Sequence, residues 1–131
     1  MLINWLETLE CVTVMGDREI NDGDYRVFFD ADTDTIKFTG ELALGGPKEY
    51  SDINQLLHDV VDTQPEIITI DLTELAFLNS SGISMLSKFV LGFRKKKEIQ
   101  LTILGSNDIP WQCKSLKNLQ NFLPSLRLDV Q

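Results

Sequence analysis

The stretch from Ile67 to Lys97 constrains the fold more than any other part of the chain. Its first six residues, Ile67–Leu72, alternate β-branched and polar types, which predicts a strand with at least one buried face. Thr73–Leu78 is expected to be a short apolar connector. After Gly82 the apolar residues recur at the spacing of one helical face, which predicts a helix running to Lys97: Ile83, Leu86, Phe89, Val90 and Phe93.

Between the strand and the helix stands Asn79-Ser80-Ser81-Gly82, a cluster of residue types that cap helices and tolerate tight turns. Asn79 or Ser80 is expected to cap the helix, and Gly82 to allow close packing of the turn. The first helical turn therefore carries two adjacent hydroxyl groups. Free N–H groups and the positive end of the helix dipole make such a turn a place where an added phosphate is tolerated or held.

Upstream of this stretch the pattern predicts a β-hairpin and a helix. Tyr25–Phe29 and Thr35–Leu42 read as two strands joined by the turn Asp30–Asp34, whereas Gly16–Asp24 reads as a loop. Pro47 fits the first turn of a helix that ends near Asp62. The apolar face of this helix is expected to be buried: Ile53, Leu56, Leu57, Val60 and Val61.

Downstream, Leu101–Leu104 reads as a strand, and Pro110 begins a third helix that Pro124 stops. That helix is apolar at Trp111, Leu116, Leu119, Phe122 and Leu123, and Leu126–Val130 follows as a short strand or tail. Alternating strands and helices predict an α/β fold with a mostly parallel sheet and an antiparallel hairpin at its edge.

The first residues of the chain are compatible with two readings. The apolar residues Leu2, Trp5, Leu6 and Leu9 lie on one helical face, so the segment is either a short amphipathic helix or a frayed extension. Cys11–Val14 is a candidate short strand. No positively charged region precedes an apolar core, and no apolar run approaches the about 20 residues that cross a bilayer, so we expect a cytoplasmic protein.

The charge distribution separates the two halves of the chain. Residues 1–79 hold 17 acidic and 4 basic side chains, whereas residues 80–131 hold 3 acidic and 8 basic ones, for a net charge of −8. An acidic total argues against general nucleic-acid binding, which requires an electropositive surface. The asymmetry suits docking of a protein partner, although it is equally compatible with an ordinary solvated surface.

Catalytic and metal-binding groups are not clustered in the sequence. The carboxylates of Asp30, Asp32 and Asp34 lack the central glycine and the distal glutamate of an EF-hand, so a solvated turn is expected. His58 is the only histidine and is expected at the surface or its boundary. Ser80 and Ser81 do not stand in a Gly-x-Ser-x-Gly elbow. We therefore expect no enzyme, no metal site and no cofactor.

The stretch Asp71-Leu72-Thr73-Glu74-Leu75-Ala76-Phe77-Leu78-Asn79-Ser80-Ser81-Gly82-Ile83 resembles the signature of the STAS domain of bacterial anti-sigma-factor antagonists. A second family mark is Gly40-Glu41-Leu42, which closes a strand before the first helix. The resemblance covers residues 25–131, and residues 1–24 are then an extension and loop. It implies a STAS-type mixed sheet with helices packed mainly on one face, and an antiparallel N-terminal hairpin followed by βαβα units.

The resemblance also implies a function in partner switching. In such regulators the first serine of Asp-Ser-Ser-Gly is phosphorylated by a partner kinase, and this position corresponds to Ser80. The implied partners are an anti-sigma-factor-type serine kinase of the histidine-kinase-like ATPase fold and a phosphatase; a homodimer is left open. The expected partner-binding residues surround the turn: Ala43, Asn79, Ser80, Ser81, Gly82 and Ile83.

Two departures from the family pattern reduce the negative charge expected at this site. The acidic residue before the first serine is replaced by Asn79, and the one after Gly-Glu-Leu by Ala43. Because Asn caps a helix as well as Asp does, we expect Asn79→Asp to change stability little. The resemblance to the family implies that the same substitution improves phosphorylation of Ser80. The departures leave two alternatives to the switch: a phosphorylation-independent scaffold, and a STAS domain that binds a small ligand or nucleotide.

Overall fold

The computed structural model describes residues 16–131 as a mixed sheet with helices. In chain order the strands and helices of this range are β1 (Arg18–Asn21), β2 (Tyr25–Asp30), β3 (Thr35–Leu42), α1 (Ser51–Asp62), β4 (Ile67–Leu78), α2 (Ser80–Gly92), β5 (Gln100–Gly105), α3 (Pro110–Phe122) and β6 (Arg127–Val130). A single turn of 3-10 helix, Phe93–Lys95, follows α2.

The strands lie in the order β1-β2-β3-β4-β5-β6, the same as their order in the chain. The first three are antiparallel neighbours, whereas β3–β4, β4–β5 and β5–β6 are parallel pairs. One row of apolar side chains crosses the parallel part, from Ile36 through Ile70 and Ile103 to Leu128. The predicted α/β class, with a mostly parallel sheet and an antiparallel hairpin at its N-terminal edge, is confirmed.

Burial alternates along the strands, which places the helices on one face of the sheet. Val27 and Phe29 of β2, and Ile68 and Ile70 of β4, are buried while their neighbours in sequence are more exposed. On α1 the predicted apolar face is confirmed in full, since Ile53, Leu56, Leu57, Val60 and Val61 are all buried. On α2 and the turn after it, Leu86, Phe89, Val90 and Phe93 are buried, whereas Ile83 is half-buried.

The expected connector Thr73–Leu78 is wrong, because β4 continues without a break to Leu78. Its partner β3 keeps pairing with it as far as Leu42, opposite Leu78. At two places β4 has one more residue than β3, between Asp71 and Glu74 and between Leu75 and Phe77, and these bulges account for the irregular pattern that suggested a connector. Gly40, which pairs with Leu75 beside the second bulge, has φ 92°, a left-handed conformation that suits glycine.

Other boundaries also differ from those expected. The predicted loop Gly16–Asp24 contains β1, which forms a hairpin with β2. The first helix begins at Ser51 and not at Pro47, which lies in the turn before the helix. The second helix ends at Gly92, so the basic run Arg94–Lys97 follows it rather than forming its last turn. The candidate helix with Leu2, Trp5, Leu6 and Leu9, and the candidate strand Cys11–Val14, lie outside the described residues.

On the side of β4 that faces β5, only Ile67–Asp71 pair with that strand. Beyond Asp71, side chains of α3 bond to the β4 backbone in place of a neighbouring strand. The Nε2 group of Gln112, on α3, donates to the carbonyl oxygens of Leu72 and Leu75 at 2.6 and 3.1 Å. Its Oε1 atom accepts from the Ser106 backbone N–H at 2.7 Å. Gln112 is completely buried, so these bonds replace ladder hydrogen bonds that water cannot supply.

Removing the side chain of Phe89 tests the packing of α2. The ring is buried and contacts Phe93 edge to face at a centroid distance of 5.1 Å. Phe89→Ala should lower the free energy of unfolding by about 3–5 kcal/mol, measured by denaturant titration, because it leaves a cavity in the core. The control is Phe122→Ala, at a side chain that is 38% exposed, which should cost much less. Equal losses for the two variants would show that α2 does not bury this face.

Candidate functional site

The turn predicted as the site joins β4 directly to α2. Asn79 has extended backbone angles, φ −79° and ψ 175°, and is the N-cap of α2. Its Oδ1 atom accepts a hydrogen bond from the Gly82 backbone N–H at 3.0 Å. The prediction that Asn79 or Ser80 caps the helix is therefore confirmed for Asn79, and Ser80 is the first residue of the helix.

The Asn79 side chain also ties α2 to two other segments. Its Nδ2 group donates to the Leu44 carbonyl oxygen at 2.7 Å, in the loop between β3 and α1. Its Oδ1 atom accepts a second hydrogen bond, from the Tyr50 hydroxyl at 2.7 Å. The oxygen and the nitrogen of the amide are thus both hydrogen-bonded. This one side chain connects the start of α2, the loop after β3 and the residue before α1.

Tyr50 is the partner that brings α1 to the site. It precedes α1 directly, is only 1% exposed, and its hydroxyl also accepts a hydrogen bond from the Leu44 backbone N–H at 3.4 Å. Burial raises the pKa of the Tyr50 phenol above its ordinary value, which keeps the hydroxyl protonated and able to donate to Asn79. No sequence pattern links Tyr50 to a residue 29 positions later, so sequence analysis missed it.

Gly82 has to be small because the turn is tightly packed. A Cβ atom at this position would lie 2.7 Å from the Tyr50 hydroxyl oxygen and closer still to the side chain of Leu78. Glycine therefore allows the tyrosine to reach Asn79, as well as the close packing expected from the sequence.

The six predicted site residues differ in accessibility. Ser80 and Ala43 are exposed, Asn79, Ser81 and Ile83 are half-buried, and Gly82 is buried. Ala43 lies close to the turn, because Leu42 pairs with Leu78 and its carbonyl oxygen accepts from the Asn79 backbone N–H at 3.1 Å. The structure thus places all six at one end of the sheet, with Ser80 as the hydroxyl most accessible to a partner.

The loop that carries Ala43 is fixed on both sides. Leu42 is the last residue of β3, and Leu44 is bonded to Asn79 and Tyr50. The Glu49 carboxylate then accepts a hydrogen bond from the Gly45 backbone N–H at 2.5 Å. A partner that binds here would meet a surface whose backbone is already ordered, which lowers the entropy cost of binding.

Within residues 16–131, no group of three or more His, Cys, Asp or Glu side chains is placed to hold a metal ion. Over the same range, no helix combines the length and apolar character needed to span a bilayer. Ser80 has no acidic residue in the first turn of its own helix.

Solved structures of similar shape identify the fold. SiaC of Pseudomonas aeruginosa matches with a TM-score of 0.67 at 13% sequence identity, over 89% of this chain and 98% of SiaC. The crystal structure of apo-SiaC from the same organism gives a TM-score of 0.68 at 12% identity, over 89% and 99% of the two chains. An anti-sigma factor antagonist from Mycobacterium paratuberculosis gives 0.53 at 18% identity, over 86% and 84%. No protein-family model and no curated protein matches the chain in sequence.

The chain therefore has the STAS-type fold of anti-sigma-factor antagonists, which confirms the structural part of the resemblance noted in the sequence. At these levels of identity the similarity establishes the fold. The roles of individual residues have to be argued from the geometry of the Asn79–Gly82 turn.

The expectation that Asn79→Asp changes stability only a little is revised by the geometry, because a carboxylate cannot donate to the Leu44 carbonyl oxygen. An unpaired carbonyl costs about 1–3 kcal/mol, whereas a charge at the N-terminus of a helix returns about 0.3–1 kcal/mol. Asn79→Asp should therefore lower the free energy of unfolding by about 1 kcal/mol in a denaturant titration. Asn79→Ala, which also loses the cap, should cost more. An aspartate variant as stable as the parent would show that the bond to Leu44 contributes nothing.

Tyr50→Phe tests the other tether. It removes the hydroxyl bond to Asn79 and should lower the free energy of unfolding near pH 7 by about 0.5–1.5 kcal/mol. Because burial raises the pKa of Tyr50 in the folded state, its neutral form stabilises the parent below the ordinary tyrosine value of 10.0, and this contribution is lost at higher pH. The pKa of Tyr25 is also raised by burial, but Tyr25 is present in both proteins. The parent should therefore lose more stability than the variant above pH 10.0; identical pH profiles would contradict this role.

Proposed function

We propose that this protein is a regulator that acts by reversible protein–protein binding in a partner-switching pathway, with its docking surface at the Asn79–Gly82 turn. The observation that carries the proposal is the contrast between Asn79 and Ser80. Asn79 is bonded to three segments, whereas the adjacent Ser80 is exposed at the start of α2. A hydroxyl group is thus presented at a fixed position on an ordered surface.

Ser80 is proposed as the position of reversible phosphorylation. A phosphate there would add a charge of about −1.5 to −2. It would lie next to free N–H groups and the positive end of the α2 dipole, which would stabilise the folded state of the phosphorylated protein. The same charge would oppose a partner that covers the turn, because it would have to be desolvated. Binding and folding would therefore respond to phosphorylation in opposite directions.

The proposed partners are a serine kinase of the histidine-kinase-like ATPase fold and a phosphatase that resets the switch. This part of the proposal is supported by the similarity of fold to an anti-sigma factor antagonist and by the Asn-Ser-Ser-Gly turn. The protein itself is proposed to have no catalytic activity and to act in the cytoplasm. Asn79 and Ala43, which replace acidic residues of the family pattern, favour the scaffold alternative, in which the same surface binds without phosphorylation.

The deciding experiment adds charge at Ser80. Tagged parent protein and Ser80→Glu are used as baits in cells of the source organism, and captured proteins are quantified by mass spectrometry together with phosphosite mapping. We expect Ser80→Glu to fold as the parent does, since an anion near a helix N-terminus is favourable by about 0.3–1 kcal/mol. It should nevertheless lose at least one partner that the parent captures, because the partner must then bury a charge.

The matched controls are Ser80→Ala, which removes the hydroxyl without adding charge, and Ser81→Ala at the half-buried neighbour. Ser80→Ala should keep the partner and abolish the phosphosite, whereas Ser81→Ala should keep both. Equal capture by the parent and Ser80→Glu would overturn the switch. Partner binding at this surface that Ser80→Glu leaves unchanged, with no phosphate found on Ser80 in the parent, would establish the scaffold.

A further inference from the structure

A cleft of about 410 Å³ lies between α1 and α2, next to the Asn79–Gly82 turn. The two helices run side by side from the same end of the sheet, since Tyr50 reaches the start of α2 and His58 contacts Phe89 two turns later. Tyr50, Asn54 and His58 line the cleft from the α1 side. They are spaced four residues apart, so they form one row along the helix.

The opposite wall and the floor come from α2. Ser81, Ser84 and Lys88 supply two hydroxyl groups and an ammonium group. Met85 and Phe89 provide an apolar floor between these polar rows, and the His58 ring meets the Phe89 ring edge to face at 6.1 Å. The cleft thus combines a soft apolar floor with a few polar groups that converge on it, a pattern typical of small-molecule sites.

The charge of the lining contrasts with that of the protein. Lys88 is the only Lys, Arg, Asp or Glu among the described residues that line the cleft, whereas the whole chain has a net charge of −8. An uncompensated ammonium group beside an apolar floor favours an anion attached to an apolar body. The volume lies within the range of about 300–1,000 Å³ found for ligand pockets.

We propose that the cleft binds a small organic anion with a mainly apolar body. The body would lie on Met85 and Phe89, between the rows of Asn54 and Ser84, with its anionic group against the Lys88 ammonium. Tyr50 lines the cleft and also donates to Asn79, so a bound molecule would contact the same hydrogen-bonded group that fixes the turn. The proposal depends neither on a protein partner nor on phosphorylation of Ser80.

Two fluorescent probes that differ in one group test the proposal on the isolated full chain. 1-Anilinonaphthalene-8-sulfonate has an aromatic apolar body with an anionic group, and N-phenyl-1-naphthylamine has the same body without the charge. We expect the sulfonate to bind with one site per chain and to raise the Tm, as a ligand of the folded state does. It should bind about two- to fivefold more tightly than the uncharged probe, the difference expected for a partly exposed ion pair.

Matched variants locate the site. Asn54→Phe fills the cleft and should weaken binding of both probes about tenfold or more, whereas Gln55→Phe, at the exposed neighbouring position, should not. Lys88→Gln should remove the preference for the sulfonate, whereas Lys117→Gln on α3 should keep it. Absence of saturable binding, a lowered Tm, or unchanged affinity in both Asn54→Phe and Lys88→Gln would overturn the proposal.

Discussion

The structure around the site depends on one half-buried side-chain amide, that of Asn79. Asn79 uses its oxygen to cap α2 and to accept from Tyr50, and its nitrogen to hold the Leu44 carbonyl. Because an amide both accepts and donates, a single residue can satisfy groups from three segments that meet where the parallel strands end. Neither a carboxylate nor a hydroxyl of similar size could make all three bonds. The residue that departs from the family pattern is therefore suited to this position for reasons of stability alone.

The length of β4 determines where that amide lies. The strand extends past the end of its pairing with β5, and Gln112 and Trp111 hold its free carbonyl groups at Leu72 and Leu75. Pairing with β3 continues on the other side as far as Leu42. The turn is consequently carried beyond β5 on a rigid strand, and Ser80 projects from it into solvent. Ordered backbone on both sides of an exposed hydroxyl suits recognition by a protein better than a mobile loop would.

Local sequence patterns predicted most of the fold, because helix faces, capping residues and hairpin turns are determined by neighbours a few positions apart. The buried face of α1 and the cap at Asn79 are examples. The connector after Leu72 was wrong because β4 has one more residue than β3 at each of two bulges, which interrupt its alternation although its pairing with β3 continues. The Tyr50–Asn79 and Gln112–Leu72 bonds join residues 29 and 40 positions apart, and no local pattern encodes them. The sequence therefore predicted the position of the turn and of Ser80 at the start of α2, but not the long-range hydrogen bonds that hold the turn in place.

The proposed regulation would depend on a difference between neighbouring residues of the turn. The bonds that hold the turn belong to Asn79, Tyr50 and Gly82, all partly or fully buried, whereas Ser80 is exposed. A charge added at Ser80 therefore changes the surface that a partner meets without removing any of the hydrogen bonds that hold the turn together. A molecule in the neighbouring cleft would act differently, since it would contact Tyr50 and thus the buried side of the same network. Under the two proposals, charge would act on the exposed side of the turn and a ligand on its buried side, and the two sides meet at Asn79.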